Sequence, residues 1–198
     1  MTNMEQQLTP TESLRLIESM IGQAKRSFSR FSFFFLLWGF LLMAAMVTTY
    51  VLRDLSPSMA QGLPWGVAGI VGGIISSVHG ASLGKKEQVN NPMDGIIGWT
   101  WGAFVITLLI IIVGGAGNAN DPGPAITVLT GLPTFMTGRI MRFKPLMLGG
   151  VLFWVLGAMM FFVDDRLLST VLYCCAMLFG YIVPGFLLKR QENGLRTA

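Results

Sequence analysis

The residues with the most chemical potential lie in one apolar stretch around the single histidine, His79. Ser76 and Ser77 precede it closely, and an imidazole next to a hydroxyl is the pair that activates a serine nucleophile. The stretch has no Gly-x-Ser-x-Gly sequence, however, and no acidic residue near His79 to orient its ring. Two interpretations remain open: an intramembrane site that binds a proton or a ligand, and a neutral histidine hydrogen-bonded between helices.

A second group with binding chemistry consists of cations. Arg139, Arg142 and Lys144 lie within one short segment, and Lys85 and Lys86 form an adjacent pair earlier in the chain. Basic clusters beside a membrane span bind anionic lipid head groups. They also orient the neighbouring spans without binding any particular ligand. These five residues are therefore candidates for a ligand or lipid head-group site, with topology as the competing explanation.

The residue types present disfavour most other chemistries. The two cysteines, Cys174 and Cys175, are adjacent in an apolar stretch, so neither a structural disulfide nor a metal site is expected. A zinc protease needs two histidines on one helix, and an intramembrane aspartyl enzyme needs two carboxylates inside its spans. The sequence therefore predicts no catalytic residue, no metal and no cofactor, and hence a protein that is not an enzyme.

These residues must be positioned by membrane helices. The chain is 53% hydrophobic and only 12% charged, whereas soluble domains carry about 25% charged residues. Six long stretches are nearly free of ionisable residues, and a bilayer core needs roughly 20 apolar residues of helix. We predict an all-α polytopic membrane protein whose six transmembrane helices form three antiparallel hairpins. The predicted spans are residues 31–52, 63–83, 95–114, 124–140, 146–162 and 167–188.

The distribution of positive charge predicts the orientation of these spans. Only Arg53 and Arg166, of the 14 lysines and arginines, fall in loops on one side of the predicted membrane. The positive-inside rule places the other side in the cytoplasm, so both termini are predicted to be cytoplasmic. Because topology accounts for the net charge of +4, no nucleic-acid partner is expected.

The first 30 residues predict a cytoplasmic amphipathic helix. Thr9, Pro10 and Glu12 have the spacing of a helix start. This helix either lies on the inner leaflet or binds a second subunit or a cytoplasmic protein through residues 9–31. The chain then divides into residues 1–30, a bundle at 31–188 and a short cytoplasmic tail at 189–198. The apolar residues that follow the start recur every three or four positions, on one stripe: Leu14, Ile17, Ile21, Ala24, Phe28 and Phe31.

Two parts of the chain carry a resemblance to known proteins. ESLRLI, beginning at Glu12, is followed by LLWG, beginning at Leu36, and TGR, beginning at Thr137, is followed by FKPL and then GG. This pattern resembles an uncharacterised family of small six-span bacterial membrane proteins. The resemblance implies the six-span topology and a multi-pass place in the bacterial inner membrane. It implies no activity, cofactor or catalytic residue.

Glycine is abundant in the predicted spans, and the chain contains 24 of them. Small residues allow membrane helices to approach one another closely. In the second span, Gly69, Gly72, Gly73 and Gly80 fit tight packing within one chain and association between chains equally well.

We expect an integral inner-membrane protein without a catalytic constellation, which self-associates and engages membrane lipids or a protein partner. The alternative is a channel or transporter for a small neutral or hydrophobic solute. Convergence of the polar side chains of the spans on one cavity would favour transport, and hydroxyls bonded within their own helices would favour a structural or regulatory role. The side chains in question are Ser76, Ser77, His79, Thr107, Thr130, Thr134 and Thr137.

Overall fold

The computed structural model describes residues 31–86, 92–115 and 121–196. It is 92% helical, without strands in the described residues. A π-helical turn, Leu178–Ile182, connects the helix Arg166–Met177 to the helix Val183–Arg196. These three elements together are called the terminal helix. The predicted N-terminal amphipathic helix lies outside the described residues. The helices are α1 (Phe31–Leu55), α2 (Pro57–Lys86), α3 (Pro92–Gly115), α4 (Gly123–Ile140), α5 (Lys144–Met160), α6 (Arg166–Met177) and α7 (Val183–Arg196).

Four helical segments are long and apolar enough to cross a bilayer, as judged from length and composition. Helices α4 and α5 have 18 and 17 residues. At a rise of about 1.5 Å per residue they measure roughly 26 Å, which is less than the roughly 30 Å hydrocarbon core. The number of spans in the membrane therefore stays a prediction. The four segments are Phe31–Leu55, Gly62–Ser82, Gly95–Gly114 and Arg166–Gly194.

Local sequence explains where several helices begin. Pro124 occupies the first turn of α4, where its missing N–H would have no helical partner. The Asp165 carboxylate accepts a hydrogen bond from the Leu168 N–H at 2.7 Å and so caps α6. The terminal helix continues to Arg196, beyond the end of the predicted span. Hydropathy marks the apolar part of a helix, and polar turns at either end can extend it.

A compact core is formed by α1, α4, α5 and the terminal helix. Phe153 and Leu146 of α5 and Met177 of α6 are among the largest fully buried side chains. All three predicted helix pairs are in contact. The most extensive helix–helix contact is nevertheless that of α4 with α5, which belong to two different predicted hairpins.

Helices α2 and α3 lie at the edge of this core, to which α3 contributes the buried Ile97. Helix α2 packs mainly on α1, and α3 packs mainly on α4. The buried share of the apolar window is 17% for α2 and 6% for α3, against 22% for α1 and 50% for the terminal helix. The molecule thus has a densely packed core and two outlying helices, each attached along one side.

Candidate functional site

Two of the polar residues predicted on α2, His79 and Ser76, contact α1. The His79 ring lies 4.1 Å from the Phe33 ring, tilted by 30°, and makes an edge contact with Phe34 at 5.7 Å. Ser76 Oγ accepts a hydrogen bond from the Trp38 indole N–H at 3.1 Å, whereas Ser77 is exposed. His79 and Ser76 therefore both lie between the two helices, His79 through ring contacts and Ser76 through a hydrogen bond. Both interpretations of His79 stay predictions.

The threonines of α4 form a separate buried stripe. Thr127, Thr130, Thr134 and Thr137 are all buried, at spacings of three and four residues. Each hydroxyl donates to the backbone carbonyl four residues earlier, at 2.7–2.8 Å. Thr107 of α3 makes the same bond to Ala103 but is exposed. The polar side chains of the spans therefore do not meet at one place, and these threonines bond within their own helices.

An aromatic centre joins α1, α3, α5 and the terminal helix, and it consists of Phe35, Trp101, Phe153 and Tyr181. The Tyr181 ring lies 4.9 Å from Phe153 and 5.5 Å from Phe35. The Trp101 indole N–H donates to Thr137 Oγ1 at 3.1 Å. The Tyr181 hydroxyl lies 3.5 Å from Thr134 Oγ1, which belongs to the same threonine stripe. The threonine stripe thus contacts the aromatic side chains of Trp101 and Tyr181.

Two irregular helical segments flank this centre. Pro184 has no N–H to donate to the carbonyl four residues earlier, and the helix widens into a π turn just before it. Within that turn the Val183 N–H bonds to the Leu178 carbonyl, five residues back. Pro133 lies inside α4, which continues through it, and likewise has no N–H for the carbonyl four residues earlier. The Tyr181–Thr134 contact therefore lies between two helices with altered hydrogen bonding.

A buried carboxylate at the end of the terminal helix was not identified from the sequence. Glu192 is 7% exposed, and Ser32 at the start of α1 is 5% exposed. One Glu192 oxygen accepts from the Ser32 hydroxyl at 2.6 Å, and the other accepts from the Ser32 backbone N–H at 3.3 Å. The sequence places Glu192 in the predicted tail. The signal that marks it is the uninterrupted helical pattern after Pro184, which carries the helix past the membrane boundary.

The predicted basic cluster lies at the turn between α4 and α5. Arg139, Arg142 and Lys144 are all exposed there. Arg142 has a φ of 52°, the single non-glycine residue with positive φ among the described residues. The Phe143 N–H bonds back to the Gly138 carbonyl at 2.9 Å and closes the end of α4. The other predicted pair, Lys85 and Lys86, ends α2, and the structure does not describe the side chains of this pair.

Within residues 31–86, 92–115 and 121–196, no group of three or more His, Cys, Asp or Glu side chains is placed to hold a metal ion. Cys174 and Cys175 are free and half-buried.

No protein-family model, curated protein or solved structure matches this chain. The class of protein is defined by the fold itself. Several long apolar helices, packed with little burial of their outer faces, are those of an α-helical membrane protein.

Proposed function

We propose that this chain is a non-catalytic, self-associating component of the membrane, and that copies associate through open glycine faces on α2 and α3. The observation that carries the proposal is a difference in how glycine is used. A Cβ added to Gly131, Gly138 or Gly150 in the core would lie within 3 Å of neighbouring atoms. A Cβ added to Gly69 or Gly98 on the outlying helices would meet no atom within 4 Å.

The open glycines of α2 lie on one face. At about 100° per residue, they fall within about 60° of the helix circumference. Gly72 lies about 90° away from that face, and it packs against the Trp38 ring of α1. The open face is thus distinct from the one that holds α2 to the core. Its residues are Gly62, Gly66, Gly69, Gly73 and Gly80.

Helix α3 repeats this arrangement on a smaller scale. Gly95, Gly98 and Gly102 share one face and have open space around them. Trp101, which attaches α3 to α4, lies roughly 90° from the centre of that face. Each outlying helix therefore has an aromatic side facing its own chain and a glycine side facing outward.

Glycine on an outward face is poorly suited to lipid contact alone. It lowers helix stability by about 1 kcal/mol relative to alanine and offers lipid tails no side chain. It suits close approach of a second helix, and Gly62-x-x-x-Gly66, Gly69-x-x-x-Gly73 and Gly98-x-x-x-Gly102 have the spacing of membrane helix pairs. A second copy is the occupant we favour, because a twofold axis brings each such face against an identical one.

The test is the oligomeric state in native-membrane nanodiscs, measured by single-molecule photobleaching. We expect wild-type chains to be multimeric and Gly69→Leu to shift them towards monomers, because leucine separates the paired backbones. Val67→Leu is the matched control, since Val67 is exposed on the same helix about 160° from Gly69 in its angular position. Monomeric wild type, or an equal effect of both substitutions, would contradict the proposal.

Two further kinds of partner are membrane lipids and a cytoplasmic protein. Membrane lipids surround the exposed apolar faces, and the charge asymmetry favours a bacterial inner membrane with cytoplasmic termini. Binding of a cytoplasmic protein through residues 9–31 stays a prediction, as that segment, apart from Phe31, lies outside the described residues.

Passage of a small neutral or hydrophobic solute is the second candidate function. It is favoured by the π turn at Leu178–Ile182 lying near Pro133, because interrupted helices often line transport paths. Proteoliposome flux of glycerol separates the two candidates. Flux that Tyr181→Phe alters would favour transport, while wild-type flux equal to that of empty liposomes would remove glycerol passage.

A further inference from the structure

Helix lengths place the turn between α4 and α5 short of the Ser32–Glu192 end of the terminal helix. A Cβ on Gly149 of α5 would lie 2.6 Å from the Gly180 carbonyl oxygen, so the two helices cross there. From that crossing α5 extends back about 8 Å to Lys144, while the terminal helix continues about 18 Å to Glu192. The turn therefore ends about 10 Å short of the Ser32–Glu192 junction, measured along the helices.

Cations concentrate at this turn. Arg139 ends α4, Lys144 begins α5, and Arg142 lies between them with its side chain exposed. The chain conformation at Arg142 is the left-handed one that glycine, and sometimes asparagine, adopts at many helix ends. The positive-inside rule explains why positive charge lies near this turn. It does not explain why arginine occupies the position with the strained backbone.

Apolar ridges continue from these cations towards the other side of the membrane. On α4, Leu132 and Met136 are exposed on the face that ends in Arg139. On α5, Leu148 and Val155 are exposed on the face that begins with Lys144. The surface thus has three cations at the α4–α5 turn. Two apolar ridges, one on each helix, lead away from these cations.

We propose that this surface binds a phospholipid with an anionic head group, with the phosphate at Arg139, Arg142 and Lys144 and the acyl chains along the α4 and α5 ridges. Arginine suits the phosphate because its guanidinium donates two parallel hydrogen bonds. The short α4–α5 pair allows the head group to lie deeper than it does beside the longer helices. Other residues carry self-association, so failure of the lipid site would leave that proposal standing.

The experiment measures binding of dioleoylphosphatidylglycerol to the full chain in neutral detergent by native mass spectrometry, with dioleoylphosphatidylcholine as the uncharged comparison. We expect the anionic lipid to be retained preferentially. Each cation near the membrane surface contributes roughly fivefold in affinity, so Arg139→Gln with Lys144→Gln weakens binding roughly 30-fold. The control pair, Lys189→Gln with Arg190→Gln, removes the same charge from exposed positions on the terminal helix and leaves affinity within about twofold.

Arg142→Gly separates a binding role from a structural one. Glycine adopts a φ of 52° without strain, so we expect the melting temperature in lipid-free detergent to rise. Affinity for the anionic lipid should fall roughly fivefold at the same time. A rise in stability with unchanged lipid affinity, or equal weakening by both double variants, would overturn the proposal. Full displacement of the lipid by millimolar inorganic phosphate would also overturn it, because it would identify a phosphate site that needs no acyl chains.

Discussion

The α4–α5 pair and the outlying helices α2 and α3 use the same residue type in opposite ways. In the pair, an added Cβ on Gly138 would lie 2.6 Å from the Met147 backbone nitrogen, and one on Gly157 would lie 2.9 Å from that of Val128. On α2 and α3, most glycines have open space around them. Glycine content therefore does not distinguish a helix pair packed within one chain from a face available to another chain.

The two regions also differ in how helices are fastened. In the α4–α5 pair, backbones approach closely at Gly138 and Gly150, beside a ring contact between Phe135 and Trp154. The outlying helices are held mainly by aromatic rings. Trp101 fastens α3 to the core, and Trp38 and Trp65 contact Ser76 and Tyr173 in the attachment of α2. A backbone contact is intolerant of any added atom, whereas a ring contact has room to shift, so the regions should respond differently to small substitutions.

The largest expected difference comes from adding one methyl group in each region. At Gly150 the new carbon would lie 2.6 Å from Phe135 Cβ and 2.7 Å from its backbone nitrogen. We expect Gly150→Ala to lower the free energy of unfolding by about 1–3 kcal/mol, as overpacking does. At Gly69 nothing lies within 4 Å, and alanine forms helices better, so Gly69→Ala should leave stability unchanged or raise it by up to about 1 kcal/mol.

Unfolding in mixed micelles with increasing sodium dodecyl sulfate measures both variants under monomeric conditions. Equal destabilisation by the two substitutions would show that the glycine face of α2 is packed within its own chain. The comparison between core and outlying helices would then be wrong.

A smaller effect is expected at the ring that attaches α3. Trp101→Phe keeps an aromatic ring near Tyr181 but removes the N–H that donates to Thr137, and should cost about 0.5–1 kcal/mol. Trp99→Phe is the matched control, because Trp99 is 83% exposed on the same helix and should change stability by less than about 0.5 kcal/mol. The same unfolding measurement applies. A larger cost for Trp99 would indicate that its outward face is covered even in single chains.

Much of the helical layout was available from the sequence. Charge-poor stretches and turn residues located all the helices from α1 to the terminal helix, because burial in lipid imposes a strong pattern on composition. The three predicted hairpin pairs are in contact, but the close α4–α5 pairing and the packed face of each helix were not available. Gly72 and Gly73 are adjacent and chemically identical, yet one packs on Trp38 and the other has open space, since their side chains would point about 100° apart.

At the candidate site, too, some features were available from the sequence and others depended on three-dimensional packing. The sequence located the cationic turn, because Arg139, Arg142 and Lys144 stand out against apolar neighbours. It gave no sign of the left-handed conformation at Arg142, which depends on how the α4–α5 turn closes. Glu192 was placed in a tail because hydropathy ends near Leu188, while its burial depends on Ser32, more than a hundred residues away. Contacts between distant residues are decided by three-dimensional packing, and no local pattern encodes them.

The smallest expected effect concerns an ion pair that joins two core helices at their other ends. Arg166 at the start of α6 donates to Asp54 near the end of α1 at 2.9 Å, with the two side chains 49% and 78% exposed. Water and salt screen such a pair, so a double-mutant cycle with Asp54→Asn and Arg166→Gln should give a coupling below about 0.5 kcal/mol. A coupling that is larger, and that persists in high salt, would mean that surface charge helps hold α1 to the terminal helix. Close backbone contacts would then contribute less to the stability of the core than the comparison with α2 and α3 implies.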